Sequence, residues 1–449
     1  MMVLNESSDN PANSWVMEVD NLIDDVNRSE ECEHWSNRSI YMVPLCMKQL
    51  NKNCYNPTVV SLGPFHHGDV RLAAFEQHKH RALLHFLNRT RRPLDHFLDP
   101  LRESLPTLME AYTGLDEKWK EDGGNPFLKL MVFDACFVLE VLRFRETNVD
   151  DYASNDPIFS DHGILYSFPY IRRDMLMIEN QIPLLALKII VDVEYGSEDE
   201  DMNRMVMRFF EPGKWQPKMP MGLHILDVFR KSRLHLSDGR NTVKKKKKKK
   251  EKKEKNGRRD VGDMNAIVRS AMVLDEAGIK LKVSQTESLR DISFEHGILR
   301  LPEMTVDDAT ESKFLNMMAF ERLHVGTGNE ITSYVFFMDN IIDSEMDVSL
   351  LHSKKIIHNA LGSDKAVAKL FNSLSKDVTL DPDSSLDGVH RRVSNYCGKR
   401  WNMWRANLLH TYFRSPWAFI SLAAAIFLLG LTVVQTVYSV LPYYVPTSN

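Results

Sequence analysis

The last 35 residues of the chain, from Ser415 to Asn449, contain no charged side chain and no histidine. Within them, Ala418 to Val440 is a 23-residue apolar run interrupted mainly by Gln435 and a few hydroxyl groups, and its Gly430 is tolerable in a membrane helix. At about 1.5 Å of rise per residue, the run can cross a hydrocarbon core of ~30 Å. Because core helices of globular proteins rarely run this long without a charge, the sequence predicts a transmembrane helix over residues 417–440 and a short non-cytoplasmic tail over 441–449.

Charge beside this run is confined to one side of it. Basic residues adjoin only its N-terminal end, whereas aromatic residues lie at both ends. The residues before the run are Lys399, Arg400, Trp401, Trp404, Arg405, Arg414 and Trp417, and those at its far end are Tyr438 and Tyr443. Aromatic belts mark membrane interfaces, and the positive-inside rule keeps a basic flank in the cytoplasm. The start of the chain has neither a basic nor an apolar signal region. The pattern predicts a single-pass, tail-anchored protein with a cytoplasmic N-terminal body, in either the plasma membrane or an endomembrane.

Cysteine is scarce, with five residues and no C-x-x-C pair. The odd number and the sparse spacing are typical of a protein in a reducing compartment. Sequons for N-glycosylation begin at Asn5, Asn27, Asn37 and Asn88, but they are used only in a lumenal protein. Under the predicted topology we expect all four to stay unmodified.

The common sequence motifs of enzymes are absent. The chain has no G-x-x-x-x-G-K-[S/T] or G-x-G-x-x-G phosphate loop, no G-x-S-x-G elbow, no H-E-x-x-H pair and no kinase motif set. These absences remove the usual routes to an enzyme. The sequence therefore predicts a non-enzymatic protein with no catalytic, cofactor-binding or metal-ligating residue and no cofactor.

The formal net charge of −4 conceals an uneven distribution. Residues 244–259 hold 12 basic and 2 acidic side chains, residues 391–414 hold six Lys or Arg and no acid, and the remainder holds 39 basic and 59 acidic residues. This excess of acidic residues in the remainder of the chain argues against a nucleic-acid-binding protein, because such a protein needs a basic face. The Lys-rich tract could be a nuclear signal, a lipid-binding patch or a nucleic-acid arm, but a solvated low-complexity loop over 237–262 is the simplest interpretation.

One loop gathers groups that could perform chemistry. The segment SLGPFHHGD contains His66, His67 and Asp69. Imidazole and carboxylate groups can bind a metal or act as a general base. However, adjacent histidines do not easily point at one ion, and the spacing matches no established zinc pattern. We favour a structural loop and keep these three residues as the candidate functional loop.

Acidic residues also lie in otherwise apolar segments, at Asp134, Glu140, Asp174 and Glu179. On a helix, separations of six and five residues turn the members of each couple to different faces. Neither couple can therefore form the paired carboxylates of a glycosidase. We expect these acids to bond loop amides or to pair with Arg143, Arg172 or Arg173.

The pattern of apolar residues predicts a mainly α fold with one small β-hairpin. Residues 1–36 are acidic and polar and predict a disordered arm, followed by a helical body over 37–416. The hairpin is predicted over 291–301, with Gly297 in its middle, and a short extended piece at Val59 and Val60. Helices are predicted from Leu72 onward and over 127–144, 175–190 (divided by Pro183), 224–234, from Asp308 onward, 332–342, 348–361 and 365–374.

Successive segments of the chain resemble the plant "domain of unknown function 247" family. They include IYMVPLCMKQLNKNCYNPTVVSLGPFHHGD, DACFVLEVLR, RRDMLMIENQIPLLAL, DISFEHGILRLPEMTVDDATESKFLNMMAFE and WRANLLHTYFRSPWAFISLAAAIFLLGLTVVQT, in order from about Ile40 to Gln435. The resemblance implies a plant protein with a mainly helical cytoplasmic body and a C-terminal membrane anchor. Two departures are mild: Ala135 stands where the family usually has Gly, and Phe65 where it often has Tyr.

The resemblance implies no enzyme activity, because no activity is established for the family as a class and no catalytic residue is recognised in it. Some grass members are associated with pollen-side self-recognition in self-incompatibility, which implies an interaction or signalling role. The Lys-rich tract looks like an insertion in the family's variable middle region.

Together these patterns favour a tail-anchored membrane protein whose cytosolic helical body is an interaction or signalling module. Its expected partners are the lipid bilayer and unidentified proteins. The alternative is a membrane-tethered, hydrolase-like enzyme that uses His66, His67 and Asp69. A third hypothesis is a nuclear or nucleic-acid factor that works through residues 244–255.

Overall fold

The computed structural model describes residues 35, 37–144, 151–196, 201–213, 218–236, 269–376, 386–398 and 416–444. The predicted N-terminal arm, apart from Trp35, lies outside these residues, as do the Lys-rich loop and residues 445–449. The chain divides into two compact units. The first comprises residues 1–229 and 322–327, and the second comprises residues 230–321 and 328–449.

The described residues are mainly helical with few strands, as predicted. The helices are α1 (Leu45–Leu50), α2 (Ala73–Thr90), α3 (Asp95–Glu103), α4 (Leu105–Glu110), α5 (Asn125–Arg143), α6 (Asp161–Tyr166), α7 (Phe168–Asp174), α8 (Leu184–Tyr195), α9 (Met202–Phe210), α10 (Ile225–Leu234), α11 (Ala271–Glu276), α12 (Thr310–Leu323), α13 (Glu330–Ile341), α14 (Glu345–Ser353), α15 (Asp364–Leu374), α16 (Asp387–Cys397) and α17 (Pro416–Tyr444). The strands are β1 (Lys280–Val283), β2 (Ser293–Glu295), β3 (Ile298–Leu301), β4 (Met304–Val306) and β5 (Ile357–Asn359).

Helix α5 forms the centre of the first unit. Its sequence is apolar almost all round, and 15 of its 19 residues are buried, with α2, α3, α8 and α9 packed against it. Pro126 lies in its first turn, where the missing backbone N–H costs no helical hydrogen bond. The buried helix predicted over 127–144 is therefore present, and it positions polar side chains inside the core.

The segment before α8 differs from the prediction. Helix α8 begins directly after Pro183, as expected, but residues 175–183 are not helical. The reason lies in two buried amides that take backbone carbonyls as acceptors. Asn180 Nδ2 donates to Asp174 O at 3.0 Å, and Gln181 Nε2 donates to the carbonyl oxygens of Met175 and Met177 at 2.8 and 2.7 Å.

The second unit contains the small sheets. Strands β2 and β3 form the predicted hairpin around Gly297, and β1 adds to β3 in parallel, which was not predicted. Strands β4 and β5 form a separate parallel pair. The helix predicted over 348–361 is wrong in its second half, because α14 ends at Ser353 and Lys355 turns the chain with a φ of 59° before β5.

Helix α17 is 29 residues long and includes Ala418, Gly430, Gln435 and Val440. By length and composition, the 21 residues from Ile420 to Val440 form one helix that could cross a membrane. None of them is buried against the rest of the protein. This exposure distinguishes α17 from a core helix such as α5.

Candidate functional site

The three residues of the candidate functional loop face three different partners. His66 Nε2 lies 3.3 Å from Glu179 Oε2, and both side chains are largely buried. The His67 ring packs edge-on against Trp119, with ring centroids 5.4 Å apart. The loop therefore does not bring its two imidazoles to one point.

The side chain of Asp69 binds Arg71. The Arg71 guanidinium donates to Asp69 Oδ2 at 2.6 Å, and the Arg71 backbone N–H donates to Asp69 Oδ1 at 2.9 Å. These hydrogen bonds lower the pKa of the Asp69 carboxyl to about 2. Within the described part of the chain, no three His, Cys, Asp or Glu side chains are grouped so that they could hold a metal ion.

The preceding segment, residues 58–63, is held by buried side chains from distant parts of the chain. Asp174 Oδ2 accepts the backbone N–H groups of Thr58, Val59 and Val60 at 3.0, 2.7 and 3.1 Å. Val59 and Val60, predicted as a short extended piece, therefore bond a carboxylate and belong to no strand. Buried N–H groups need such acceptors, because an unpaired one costs as much as a lost hydrogen bond.

Two further side chains continue this row of acceptors. Asn180 Oδ1 accepts from Leu62 N at 2.7 Å, and its amide nitrogen donates to Val60 O at 3.0 Å. Asp134 Oδ2, on α5, accepts from Gly63 N at 2.7 Å. Asp134 and Asp174 thus bind loop amides, which is one of the two roles expected for the buried acids.

Lys79 completes the charge balance around Asp134. Its side chain is 0% exposed, and its Nζ lies 2.8 Å from both Asp134 Oδ1 and Glu76 Oε1. Burial alone lowers the pKa of Lys79, but the two carboxylates outweigh burial and raise it. Ser61 Oγ lies 3.3 Å from Nζ, yet a lysine held in its charged form cannot act as a general base for that hydroxyl.

Glu179 connects Val43 and Lys48 to the same region. It accepts from Val43 N at 2.6 Å and lies 2.6 Å from Lys48 Nζ. Burial acts to raise the pKa of Glu179, but the neighbouring His66 and the hydrogen bonds from Lys48 and Val43 together lower it. We call these buried carboxylates and amides, Asp134, Asp174, Glu179 and Asn180, the loop anchors.

The pairing of Glu140 differs from the arginine partners that we expected. Arg89 binds Glu140 Oε1 at 2.5 Å, and Tyr152 donates to Glu140 Oε2 at 2.8 Å. Arg143 instead pairs with Glu194 at 2.6 Å. The expected pairing of Glu140 with Arg143 on the same helix is therefore wrong, because the partners of both residues come from other parts of the chain.

The sequence did not single out Lys79 or Asn180 as parts of this network. Lys79 is a charged residue on the helical face that also carries Ala82, Leu83 and Phe86, all buried. A lysine on the buried face of a helix could have indicated an acidic partner, since lysine is almost never fully buried without one. Asn180 gives a weaker signal, because asparagine is common in ordinary turns.

An exposed apolar patch lies elsewhere in the first unit, on α6 and α7. Leu165, Tyr166 and Tyr170 are 65%, 59% and 54% exposed. The His162 ring contacts Tyr166, with centroids 4.6 Å apart. We call Leu165, Tyr166 and Tyr170 the aromatic patch.

The predicted membrane span lies on α17, and its hydroxyl groups are bonded inside the helix. Thr432, Thr436 and Ser439 each donate to the carbonyl four residues earlier, at 2.8, 2.7 and 2.8 Å. Tyr438 is 72% exposed, and Trp417 and Tyr443 also belong to the helix. The other predicted interface residues lie outside the described residues: Lys399, Arg400, Trp401, Trp404, Arg405 and Arg414.

Comparison with known proteins adds the family. Residues 40–431 match the model of DUF247, described as plant protein of unknown function. The UPF0481 protein At3g47200 of Arabidopsis thaliana is 32% identical over 424 residues, which cover 90% of this chain and 86% of the relative. The putative UPF0481 protein At3g02645 of the same plant is 22% identical, covering 94% of this chain and 93% of the relative. No solved structure matches the chain significantly. With most of its length matched to that model, the chain belongs to the DUF247 family of plant proteins.

Proposed function

We propose that this protein is anchored in a membrane by α17, keeps its body in the cytoplasm and binds protein partners through that body. The observation that carries the anchor is α17 itself, which exposes an uncharged apolar surface on every side. Its 21-residue apolar window is about 32 Å long, which matches a hydrocarbon core of ~30 Å.

The internal hydrogen bonds of α17 support the same proposal. A hydroxyl group facing lipid has no water to bond, so it must find an acceptor within the protein. Thr432, Thr436 and Ser439 each have one in the preceding helical turn. The basic flank on one side only supports the cytoplasmic placement of the body.

The anchor is tested by placing charge in the middle of the helix. Leu429→Asp with Val433→Asp puts two carboxylates in the apolar window, at a cost of roughly 2.5–3.5 kcal/mol each at the centre of a membrane helix. We expect alkaline carbonate to release this variant from membranes, whereas the intact chain stays in the pellet. The matched control is Leu429→Ala with Val433→Ala, which should stay bound. Release of the intact chain and of both variants alike would contradict the anchor.

The partner-binding role is supported by the aromatic patch. Exposed tyrosines and large apolar side chains are typical of protein interfaces, because they bury much area at little entropic cost. The separate orientations of His66, His67 and Asp69 favour this role over the hydrolase alternative.

Proximity labelling from the full chain in living tissue tests the patch. In Leu165→Ser/Tyr166→Ser/Tyr170→Ser, we expect a defined set of labelled neighbours to be lost. The control changes three exposed apolar residues elsewhere in the same unit, Met42→Ser, Val70→Ser and Leu84→Ser, and should retain that set. Identical neighbours in both variants would contradict binding through the patch.

A further inference from the structure

The three-stranded sheet of the second unit has one buried face and one face whose side chains are exposed or partly exposed. Leu281, Phe294 and Leu299 point to the buried face and are at most 5% exposed. Side chains alternate along a strand, so the intervening residues share the opposite face. These are Lys280 and Lys282 on β1, Ile298 and Arg300 on β3, and Ser293 and Glu295 on β2.

Three of these side chains are cations, and we call Lys280, Lys282 and Arg300 the basic sheet face. Lys282 and Arg300 are direct partners in the register of the parallel β1–β3 pair. Neighbouring strands lie about 4.8 Å apart, so two like charges face each other across the strands. Such a pair weakens the sheet unless an anion lies nearby.

The three cations of this face lack a direct carboxylate partner within the described part of the chain. Neither Lys280, Lys282 nor Arg300 takes part in an ion pair there. Glu295 shares the face at the end of β2, opposite Ile298, and has an interaction of its own. In a chain whose body is strongly acidic, three unneutralised cations side by side are unusual.

The same unit leads directly into the membrane helix. Helix α16 packs on the sheet, where Tyr396 contacts Phe294 edge-on at 5.5 Å. Only residues 398–415 separate α16 from Pro416. Those 18 residues span at most about 60 Å, whereas a compact unit of this length has a radius of gyration of about 17 Å. The tether is therefore long enough for the sheet to reach the bilayer.

We propose that the basic sheet face docks on the anionic leaflet of the membrane in which α17 is anchored. Phosphatidylserine and phosphoinositide headgroups supply anions to pair with Lys282 and Arg300, and Ile298 places an apolar side chain at the same surface. Each Lys or Arg near such a leaflet strengthens binding roughly fivefold. The attraction fades within a Debye length of ~8 Å, so only a face turned toward the lipid contributes. This inference rests on the proposed anchor.

Lysine footprinting of the full chain in nanodiscs tests the docking. A water-soluble acylating reagent should label Lys280 and Lys282 several-fold more slowly in discs containing phosphatidylserine than in discs of phosphatidylcholine alone. Lys354, Lys365 and Lys369, exposed in the same unit, are internal controls and should be labelled equally in both. Equal labelling of Lys280 and Lys282 in the two discs would overturn the docking. Protection by soluble inositol hexakisphosphate in neutral discs, without protection by phosphatidylserine, would also overturn it.

A second measurement separates the docking from the anchor. In the Leu429→Asp/Val433→Asp background, the chain should still sediment with phosphatidylserine vesicles. Adding Lys280→Gln, Lys282→Gln and Arg300→Gln should weaken that binding roughly 100-fold, given about fivefold per charge. The control triple Lys354→Gln, Lys365→Gln and Lys369→Gln removes the same charge from elsewhere in the unit and should weaken binding only slightly. Equal weakening by both triples overturns the docking, whereas failure of the anchor appears as missing incorporation into nanodiscs.

Discussion

Gly63 shows how closely residues 58–63 approach the 175–183 segment. Its φ is +71°, and a Cβ at this position would lie 2.5 Å from Gln181 O and 3.1 Å from the Tyr112 hydroxyl. The first of these is a backbone atom in a segment held by several hydrogen bonds, so it cannot easily move. Both the backbone conformation and the space require glycine here.

We expect Gly63→Ala to lower the free energy of unfolding by about 2–5 kcal/mol. The positive φ costs roughly 1–2 kcal/mol for a residue with a Cβ, and overpacking in a tight core typically adds 1–3 kcal/mol. Gly68→Ala is the matched control, because Gly68 also has a positive φ but would place its Cβ in open space. Urea unfolding of the full chain in detergent compares them. Equal losses would show that backbone conformation alone requires glycine at position 63.

Glu179 makes the stability of the first unit depend on pH. Its folded-state pKa lies below the usual 4.5, because hydrogen bonds and the charge of Lys48 outweigh burial. The ionised carboxylate therefore contributes stability that is complete above about pH 4.5 and is lost as pH falls through the lowered folded-state pKa.

Glu179→Gln should therefore be less stable than the parent chain at pH 7, and the difference should shrink as pH drops below 4.5. Urea midpoints measured from pH 7 to pH 3 give this difference. Glu117→Gln, at a side chain that is 83% exposed, is the control and should show little difference at any pH. A constant gap between Glu179→Gln and the parent would contradict a role for ionised Glu179.

In the second unit, the residue that caps α14 also binds a neighbouring helix. Asp347 Oδ2 accepts from the backbone N–H and the hydroxyl of Ser344 at 2.9 and 2.8 Å, at the start of α14. Asp347 Oδ1 accepts from Met272 N in α11 at 2.9 Å. One carboxylate thus caps α14 and joins it to α11.

Asp347→Ala should lower the free energy of unfolding by roughly 1–3 kcal/mol, because it removes the buried carboxylate that accepts three part-buried hydrogen bonds. Ser363→Ala is a suitable comparison, since Ser363 precedes α15 without a capping hydrogen bond from its side chain. We expect that control to cost less than about 0.5 kcal/mol. Thermal unfolding of both variants measures these changes in stability. Similar losses of stability in the two variants would contradict the double role of Asp347.

Helices with a clear local pattern were predictable from the sequence, whereas contacts across long separations were not. The nearly continuous apolar character of residues 127–144 located α5, and the helix predicted over 365–374 corresponds to α15. Strands β1, β4 and β5 were missed because each is short and pairs in parallel with a strand that does not adjoin it in the sequence. Hairpin β2–β3 was found because its two strands adjoin Gly297.

The candidate site shows the same division. Residue types identified the loop of His66, His67 and Asp69 as chemically interesting, and they correctly raised loop amides as partners for buried acids. They could not show that His66 faces Glu179 and that Asp69 faces Arg71, because those orientations depend on tertiary packing. The loop anchors come from α5 and from residues 174–180, and no local pattern connects those elements to residues 58–63.

The topology of the whole molecule can be tested through its natural sequons. Asn88 is an exposed residue near the end of α2 and is followed by Arg89 and Thr90, so an oligosaccharyltransferase could reach it in a lumenal body. With the body in the cytoplasm, Asn5, Asn27, Asn37 and Asn88 should all stay bare.

We expect glycosidase treatment of the protein from plant tissue to leave its electrophoretic mobility unchanged. A version carrying an added N-terminal secretory signal is the positive control, and it should acquire glycans that the glycosidase removes. A glycosidase-sensitive shift in the natural protein would contradict the cytoplasmic placement.

The loop anchors also determine when residues 58–63 can form their native hydrogen bonds during translation. Val60 bonds Asp174 and Leu62 bonds Asn180, partners that lie 114 and 118 residues further along the chain. At roughly 5–20 residues per second, a ribosome needs about 6–24 s to add those residues. During that interval the segment 58–63 has left the peptidyl-transferase centre without the side chains that later hold it. Chaperones that shield nascent chains would therefore meet this stretch before these bonds can form, and its native hydrogen bonds are complete only once residue 180 has emerged.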